Sequence, residues 1–261
     1  MIVHGTKRVE RRIGYVADFC PVCRCPQAMR LLRIGLASHI YFISIGGGKL
    51  VAHLAECLSC GVQTVTDPLR YASVEKRPAA DLERLIESTF PNLRTAYAER
   101  LALEEDIRKN PHALPADVRM EFVVEPFRLL NPMAEQRFQN STQMDKQSGI
   151  GCLATILIPV LLVWAAHLIG KGDSDMALYV ALGAGGVIFL YTMVQLHLAP
   201  GRYVRGKMIP ILAKALRPLE PSKEELADCL SRCKTAGMKV GGHVKLDTLI
   251  PELIRAPLRA D

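Results

Sequence analysis

The sequence has few aromatic residues and lacks the motifs that identify common enzymes. Aromatic residues make up 6% of the 261 residues, and Trp occurs once. There is no HExxH metalloprotease motif, no GxSxG nucleophile elbow and no Rossmann glycine fingerprint. These absences favour a protein that is not an enzyme. Disorder along the whole chain is excluded, because 49% of the residues are hydrophobic and 23% are charged.

Charged residues are absent from two long apolar runs. Residues 150–170 and 176–199 contain no Asp, Glu, Lys or Arg. A helix needs about 20 residues to cross the hydrocarbon core of a bilayer, so each run is long enough to span it. Neither run lies at the N-terminus, so neither has the pattern of a signal peptide. We therefore expect a transmembrane hairpin over 149–199 in the inner or plasma membrane.

Small residues recur every four positions in the second run, at Ala177, Ala181 and Gly185. Such a face lets a neighbouring helix approach closely, so these residues are predicted to pack against the first span or a second copy of the chain. No acid or base lies at the centre of either run, where intramembrane catalysis or ion coupling usually needs one. Two spans alone make no transport path, so a channel or transporter subunit, one alternative function, would have to be built by oligomerisation.

The net charge of +7 is concentrated in the two ends of the chain. Residues 1–33 carry seven Lys and Arg against two acids, or +5, and residues 200–261 carry twelve against seven, also +5. This distribution suits an anionic membrane surface at least as well as nucleic acid, which is the less favoured partner. The excess of Lys and Arg outside the hairpin predicts that both termini are cytoplasmic.

Four of the eight cysteines form two CxxC pairs, Cys20 with Cys23 and Cys57 with Cys60. Each pair can supply one edge of a tetrahedron of thiolates around a metal ion, and two pairs complete a zinc site. Gly61, after the second pair, permits the left-handed backbone of such a turn. Cys25 and His53 are possible alternative ligands.

The residues around these pairs read as short strands. Strands are predicted at 12–19, 28–37, 39–45 and 49–56, with a glycine turn at 46–48. Residues 1–66 are thus predicted as a zinc-ribbon domain. About residues 10–66 of it resemble a zinc ribbon with two rubredoxin-like turns, similar to the heads of uncharacterised bacterial two-span membrane proteins. The resemblance implies a structural Zn²⁺ site and no activity. A rubredoxin-type iron site or a thiol-redox pair is the alternative.

The rest of the chain reads as helical outside the apolar runs. Residues 67–78 are predicted as a linker, 79–148 as a helical spacer hairpin, and 200–261 as a basic cytoplasmic helical tail. The tail begins with an amphipathic segment at 203–216, expected to lie on the membrane surface. Ser222 and Glu225 have the spacing of a capping box that opens a later helix.

The expected fold is therefore mixed: a small antiparallel β zinc ribbon, an α-helical spacer hairpin, two transmembrane helices and a short helical C-terminal tail. The function predicted for it is a non-catalytic, membrane-anchored zinc-binding adaptor that presents its ribbon to a protein partner or to further copies of itself. A thiol-redox or iron electron-transfer membrane protein is the second hypothesis.

Overall fold

An antiparallel sheet occupies the first quarter of the chain and helices follow it. The computed structural model describes residues 4–40, 43–44, 46–139, 146–169 and 174–255. The sheet has the strand order β1-β2-β4-β5, and the short β3 pairs with the end of β2. The strands are β1 His4–Cys20, β2 Cys25–Ile40, β3 Ile43–Ser44, β4 Lys49–Cys57 and β5 Gln63–Val65.

The glycine turn lies against β2, which changes one predicted pairing. The sequence predicts that 39–45 pairs with 49–56, but β4 pairs with β2, and β3 also pairs with β2. The Arg33 guanidinium donates hydrogen bonds to the carbonyls of Gly47, at 2.9 Å, and Gly48, at 3.1 Å. Gly48 has a φ of +67°, and a Cβ there would lie 2.3 Å from the carbonyl of Leu36. Only glycine permits this close approach of the turn to β2.

Ten α-helices are described after the sheet. They are α1 Leu82–Thr89, α2 Leu93–Ala96, α3 Ala98–Lys109, α4 Ala116–Gln139, α5 Lys146–Ile169, α6 Ser174–Tyr203, α7 Ile209–Leu216, α8 Lys223–Thr235, α9 Lys239–His243 and α10 Leu246–Arg255. A π-helical turn, Val204–Met208, joins α6 to α7. The predicted capping box is confirmed, because the Glu225 amide donates to Ser222 Oγ and the Ser222 amide donates to the Glu225 carboxylate.

The spacer differs from the expected helical hairpin. The buried face of α4 packs against α7, α8 and α9, which follow the apolar helices in sequence. The contact between α3 and α4 includes an ion pair of 2.7 Å between Arg100 and Glu125. Val123, Phe127 and Leu130 of α4 are fully buried. The tail helices supply the apolar surface that covers them, which α3 was expected to supply.

The segment after α6 is part of the core. Ile209, Leu212 and Leu216 on α7 are 0–2% exposed. They share one hydrophobic cluster with Val16 and Leu31 of the sheet and with residues of α4 and α8. The expectation that 203–216 lies on a membrane surface is therefore wrong for the apolar face of α7, which packs inside the protein.

Within the described residues, one helical stretch is long and apolar enough to cross a membrane, by length and composition only. This stretch is Tyr179–Leu219, and a second apolar helix, Gly149–Trp164, is shorter. The sequence predicts two spans, and the structure supplies one. At about 1.5 Å per residue, 149–164 covers roughly 24 Å, less than the ~30 Å hydrocarbon core. The predicted linker 171–175 falls partly on residues outside the described part.

Helices α5 and α6 pack against each other through small residues. A Cβ on Gly185 would lie 3.1 Å from Pro159 Cγ, and one on Gly151 would lie 2.8 Å from Thr192 Oγ1. Ala181 is 2% exposed. The side chain of Ala177, the third residue of the predicted packing face, lies outside the described part.

The opposite faces of α5 and α6 expose large apolar side chains. Most are more than half exposed, and only 11% of the most apolar window of Tyr179–Leu219 is buried. They include Ile150, Leu153, Ile156, Val160, Leu161 and Trp164 on α5, and Tyr179, Val180, Leu182, Val187, Leu190, Tyr191 and Val194 on α6. A continuous apolar surface of this kind has to be covered by something other than water.

Candidate metal centre

Two tight turns of the sheet bring four cysteines together. Cys20 and Cys23 belong to the turn between β1 and β2, and Cys57 and Cys60 to the turn between β4 and β5. Because β2 and β4 are paired with Met29 opposite Cys57, the two turns lie at the same end of the sheet. The four sulfur atoms all lie within 4.8 Å of one another. This group could hold a metal ion.

The distances between the sulfurs fit a tetrahedral metal site. Cys20 Sγ lies 3.6 Å from Cys60 Sγ, and Cys23 Sγ lies 3.9 Å from Cys57 Sγ. A tetrahedron of thiolates with metal–sulfur bonds of about 2.3 Å has edges of about 3.8 Å. The side chains of the four cysteines therefore need little rearrangement to bind Zn²⁺ or iron, and with four protein ligands the site would leave no position for a water or a substrate.

The two turns share one backbone conformation. Arg24 follows Cys23 with a φ of 57°, and Gly61 follows Cys60 with a φ of 73°. The amide of Arg24 donates to the carbonyl of Cys20 at 2.7 Å, and the amide of Gly61 donates to that of Cys57 at 2.8 Å. A left-handed conformation costs a non-glycine residue on the order of 1–3 kcal/mol, so contacts of the Arg24 side chain have to offset it.

Those contacts are buried. Arg24 is 3% exposed, and its Nη1 donates to Glu104 Oε2 of α3 at 2.8 Å. Its Nε donates to the carbonyl of Ala215 on α7 at 2.9 Å. The guanidinium carbon also lies 5.7 Å from the centre of the Phe122 ring of α4. Arg24 thereby ties the first cysteine turn to three helices.

A lysine of α7 adds positive charge beside the sulfurs. Lys214 Nζ donates to Ser59 Oγ, inside the second cysteine turn, at 2.8 Å. Hydrogen bonds with Cys20 and the other two thiols lower the pKa of Cys23, and the charge of Lys214 lowers that pKa further. Four thiolates around a divalent cation leave a net charge of −2, which this ammonium partly compensates.

A buried carboxylate fixes the strand that leads into Cys20. Asp18 is 5% exposed and accepts hydrogen bonds from the hydroxyls of Tyr71, at 2.6 Å, and Tyr97, at 3.0 Å. Arg70 lies 3.5 Å from the same carboxylate. The end of β1 is thus held by residues 70–97, the segment that follows the sheet.

The two alternative ligands predicted from the sequence, Cys25 and His53, lie outside the four-sulfur group, as do two cysteines of α8. Cys25 is buried, and its sulfur accepts a hydrogen bond from Gln27 Nε2 at 3.2 Å. His53 is a half-buried residue of β4 opposite Arg33. Cys229 and Cys233 of α8 are fully buried in the core, and the Cys229 thiol points to the carbonyl of Val123 at 3.8 Å.

Arg24, Ser59, Glu104 and Lys214 were not identified from the sequence as parts of the site. A signal existed for Arg24, since it follows its CxxC pair at the position that Gly61 occupies after the other pair. No such signal exists for Lys214, which is 155 residues away from Ser59.

Comparison with known proteins finds no matching family model, no matching curated protein and no matching solved structure. The resemblance to zinc ribbons therefore stays a prediction, and the arrangement of the cysteines is what the functional argument has to use.

Proposed function

We propose that the protein is a membrane-anchored zinc-binding adaptor that is not an enzyme and whose metal centre faces the cytoplasm. The observation that carries the proposal is the group of four sulfurs with separations of 3.6 and 3.9 Å. A closed set of four thiolates is typical of structural zinc, and its binding free energy contributes to the folding of the surrounding sheet.

The exposed surface of α5 and α6 supports the membrane anchor. Trp164 is 61% exposed and Leu190 66% exposed, and neither helix presents a charged face between 150 and 169 or between 176 and 199. Immersion of the hairpin in a bilayer would remove these side chains from water. On this proposal α5 is the second span. The apolar segment 149–164 is lengthened by the remaining apolar residues of the helix, which continues to Ile169.

The packing of the flanking helices supports a single side for both ends of the hairpin. Helix α4 precedes the hairpin and α7 follows it, and the two pack against each other in the core that contains the sheet. The body that holds the cysteines would then lie on one side of the membrane. Reduced cytoplasmic thiols and the excess of Lys and Arg at 202–217 favour the cytoplasmic side.

The contacts of the metal centre favour binding to a partner over catalysis. Arg24 and Lys214 join the two cysteine turns to α7, and α7 continues from α6 through one π-helical turn. The cysteine turns, the sheet and the base of the membrane helix therefore form one unit. Such a unit can hold a protein partner, or a second copy of the chain, at a fixed height above the membrane.

Metal analysis of the full chain purified in detergent tests the proposal. We expect one zinc per chain and no visible absorption. We also expect Cys57→Ser to lose the zinc, and Cys25→Ser, the matched control, to keep it. Iron with a visible thiolate charge-transfer spectrum would instead establish an electron-transfer site. Absence of metal together with reversible disulfide formation would establish a redox pair.

A reporter inserted in the linker tests the anchor separately. A reporter that works only outside the cytoplasm is expected to be active when inserted at 171–175 and silent when fused after residue 261. The opposite pattern would reverse the orientation. Release of the protein from membranes by alkaline carbonate would contradict the anchor itself.

A further inference from the structure

A cavity of about 430 Å³ lies between the sheet and the base of the membrane helix. One wall belongs to the sheet and includes Glu10 of β1, Glu56 of β4 and Gln63 of β5. The other wall is helical and includes Arg137 of α4, Tyr203 of α6 and Lys207 of the π-helical turn. Its volume falls in the range of small-molecule sites, about 300–1,000 Å³.

The two walls carry opposite charge. The sheet wall contributes the two carboxylates and the side-chain amide of Gln63, and the helical wall contributes a guanidinium and an ammonium. Among the described residues, the ion pairs of the carboxylates engage one oxygen of each, Oε1 of Glu10 with Arg8 and Oε2 of Glu56 with Arg30. The second oxygen of each carboxylate can therefore accept from a ligand cation.

The basic wall is built around an aromatic ring. The guanidinium carbon of Arg137 lies 5.4 Å from the centre of the Tyr203 ring, and the Phe138 ring meets the same ring edge-on at 6.4 Å. Tyr203 is half-buried, and its ring forms a floor below the guanidinium.

The cavity lies at the depth of lipid headgroups if α6 spans a bilayer. Leu198 is the last large apolar residue of α6 that is strongly exposed, at 50%, and Tyr203 follows it by five residues. At about 1.5 Å per residue this separation is about 7.5 Å. The headgroup layer on each side of the ~30 Å hydrocarbon core is about 5–8 Å thick. The charged groups of the cavity therefore lie at the depth of a lipid phosphate and the headgroup attached to it.

We propose that this cavity binds a zwitterionic phosphoethanolamine group, that of a phosphatidylethanolamine lipid. The phosphate would be bound by Arg137 and Lys207, and the ammonium by Glu10, Glu56 and the amide oxygen of Gln63. Three acceptors match the three N–H donors of a primary ammonium. A choline group has no N–H donor, and a phosphoglycerol group has no cation. The proposal rests on the membrane anchoring proposed above.

Native mass spectrometry of the full chain in detergent tests the site. The protein is incubated with equal amounts of dioleoyl phosphatidylethanolamine, phosphatidylcholine and phosphatidylglycerol, and the retained lipids are counted. We expect phosphatidylethanolamine to be retained about tenfold more than either other lipid, the effect of one charge-assisted interaction. Glu56→Gln and Lys207→Gln are expected to abolish this preference.

Matched controls keep the result specific to the cavity. Glu87→Gln on α1 and Lys234→Gln on α8 make the same chemical changes at exposed positions away from the cavity and are expected to keep the preference. Unchanged metal content in each variant shows that the body is folded. Equal retention of phosphatidylcholine, or preference for phosphatidylglycerol, would overturn the proposal, as would a preference that survives both cavity substitutions.

Competition with free O-phosphoethanolamine distinguishes a lipid headgroup from a free small molecule as the ligand of the cavity. Competition only at millimolar concentration supports the lipid, because the acyl chains then contribute to binding. Tight calorimetric binding of the free compound, without retention of the lipid, would overturn the lipid assignment. If alkaline carbonate extracts the chain from membranes, the anchoring has failed, and these two binding measurements still decide what the cavity binds.

Discussion

Nε of Arg24 donates a hydrogen bond of 2.9 Å to the carbonyl of Ala215, 191 residues further along the chain. Arg24 belongs to the first cysteine turn, and Ala215 belongs to the first α-helix after the apolar helices. The turn holds Arg24 in a left-handed conformation, and the side chain reaches α7 from that position. The order of the cysteine turn and the docking of α7 are therefore linked.

Removal of the metal is expected to loosen α7. Without the cation no bonds to a shared metal hold the four sulfurs together, so the turns that carry Arg24 and Ser59 are expected to open and release Ala215 and Lys214. Hydrogen exchange of the detergent-purified protein, with and without chelator, measures this effect. Amides of Ile209–Leu216 should exchange faster after chelation.

Helix α1 provides the internal control for that experiment. It packs against β1 and β2. Its buried residues form a small hydrophobic cluster with Ala17 and Leu93, separate from the cluster that contains α7. Its exchange should change less than that of α7. Equal protection of α7 with and without metal would show that α7 docks independently of the cysteine turns.

Substitution of Arg24 separates its backbone strain from its side-chain contacts. Both Arg24→Gly and Arg24→Ala leave Glu104, which is 2% exposed, with Arg100 as its remaining ion-pair partner. Loss of one partner of a buried pair costs about 3–5 kcal/mol, and the Arg100 contact reduces that figure here. Arg24→Ala should be the less stable variant by about 1 kcal/mol, because the φ of 57° favours glycine.

Thermal unfolding in detergent measures both variants, and a double substitution tests the cause. Arg24→Gly combined with Glu104→Gln should recover part of the loss, since the buried side chain that lost Arg24 then carries no charge. If the double variant is as unstable as the sum of the two single ones, the pair does not account for the effect.

The pairs of cysteines could be predicted from sequence because the spacing within each pair is local. The same holds for the capping box at Ser222, where two residues three apart complete each other's hydrogen bonds. The pairing of β4 with β2 could not be predicted, since it depends on the close approach of Gly48 to Leu36. The sequence shows glycines there but not the strand they approach.

The burial of α7 also could not be predicted from the sequence. Its apolar and basic residues alternate in the manner of a membrane-surface helix, and the pattern does not say which apolar surface it covers. The core offers Val123 and Phe127 of α4, about 80 residues earlier in the chain, and the contact is long-range. The position of Lys214 beside the cysteines and the cavity beside Tyr203 both depend on that contact, so neither could be predicted.

Acid is expected to remove the contribution of one ion pair between α4 and α8. A hydrogen bond from Arg119, at 2.6 Å, holds the pKa of Glu225 below its ordinary value near 4.5. A carboxylate whose pKa is lower in the folded state stabilises it above the unfolded pKa. That contribution is lost as the pH falls through the lower, folded value. Glu225→Gln should therefore lower the melting temperature at pH 7, and this effect should shrink as the pH falls through the folded pKa of Glu225.

An exposed acid provides the comparison. Glu121→Gln removes an ion pair with Arg128 in which both side chains are more than half exposed. Such surface pairs contribute about 0–1 kcal/mol, so its melting temperature should follow that of the parent protein at both pH values. If Glu225→Gln is equally destabilising at pH 7 and at pH 3.5, its effect comes from the lost cap of α8 and not from charge.

A pair of glycines on α6 tests the packing of the apolar helices. A Cβ on Gly185 would lie 3.1 Å from Pro159 Cγ, whereas a Cβ on Gly183 would meet nothing within 4 Å. Gly185→Leu should force α5 and α6 apart, at a cost of about 1–3 kcal/mol for overpacking. Gly183→Leu adds the same side chain to the same helix and should leave the hairpin intact. The fluorescence of Trp164, the single tryptophan, reports the change during thermal unfolding in detergent. Equal melting of the two variants would mean that Gly185 does not face Pro159, and the contact between the helices would then have to be placed on another face of α6.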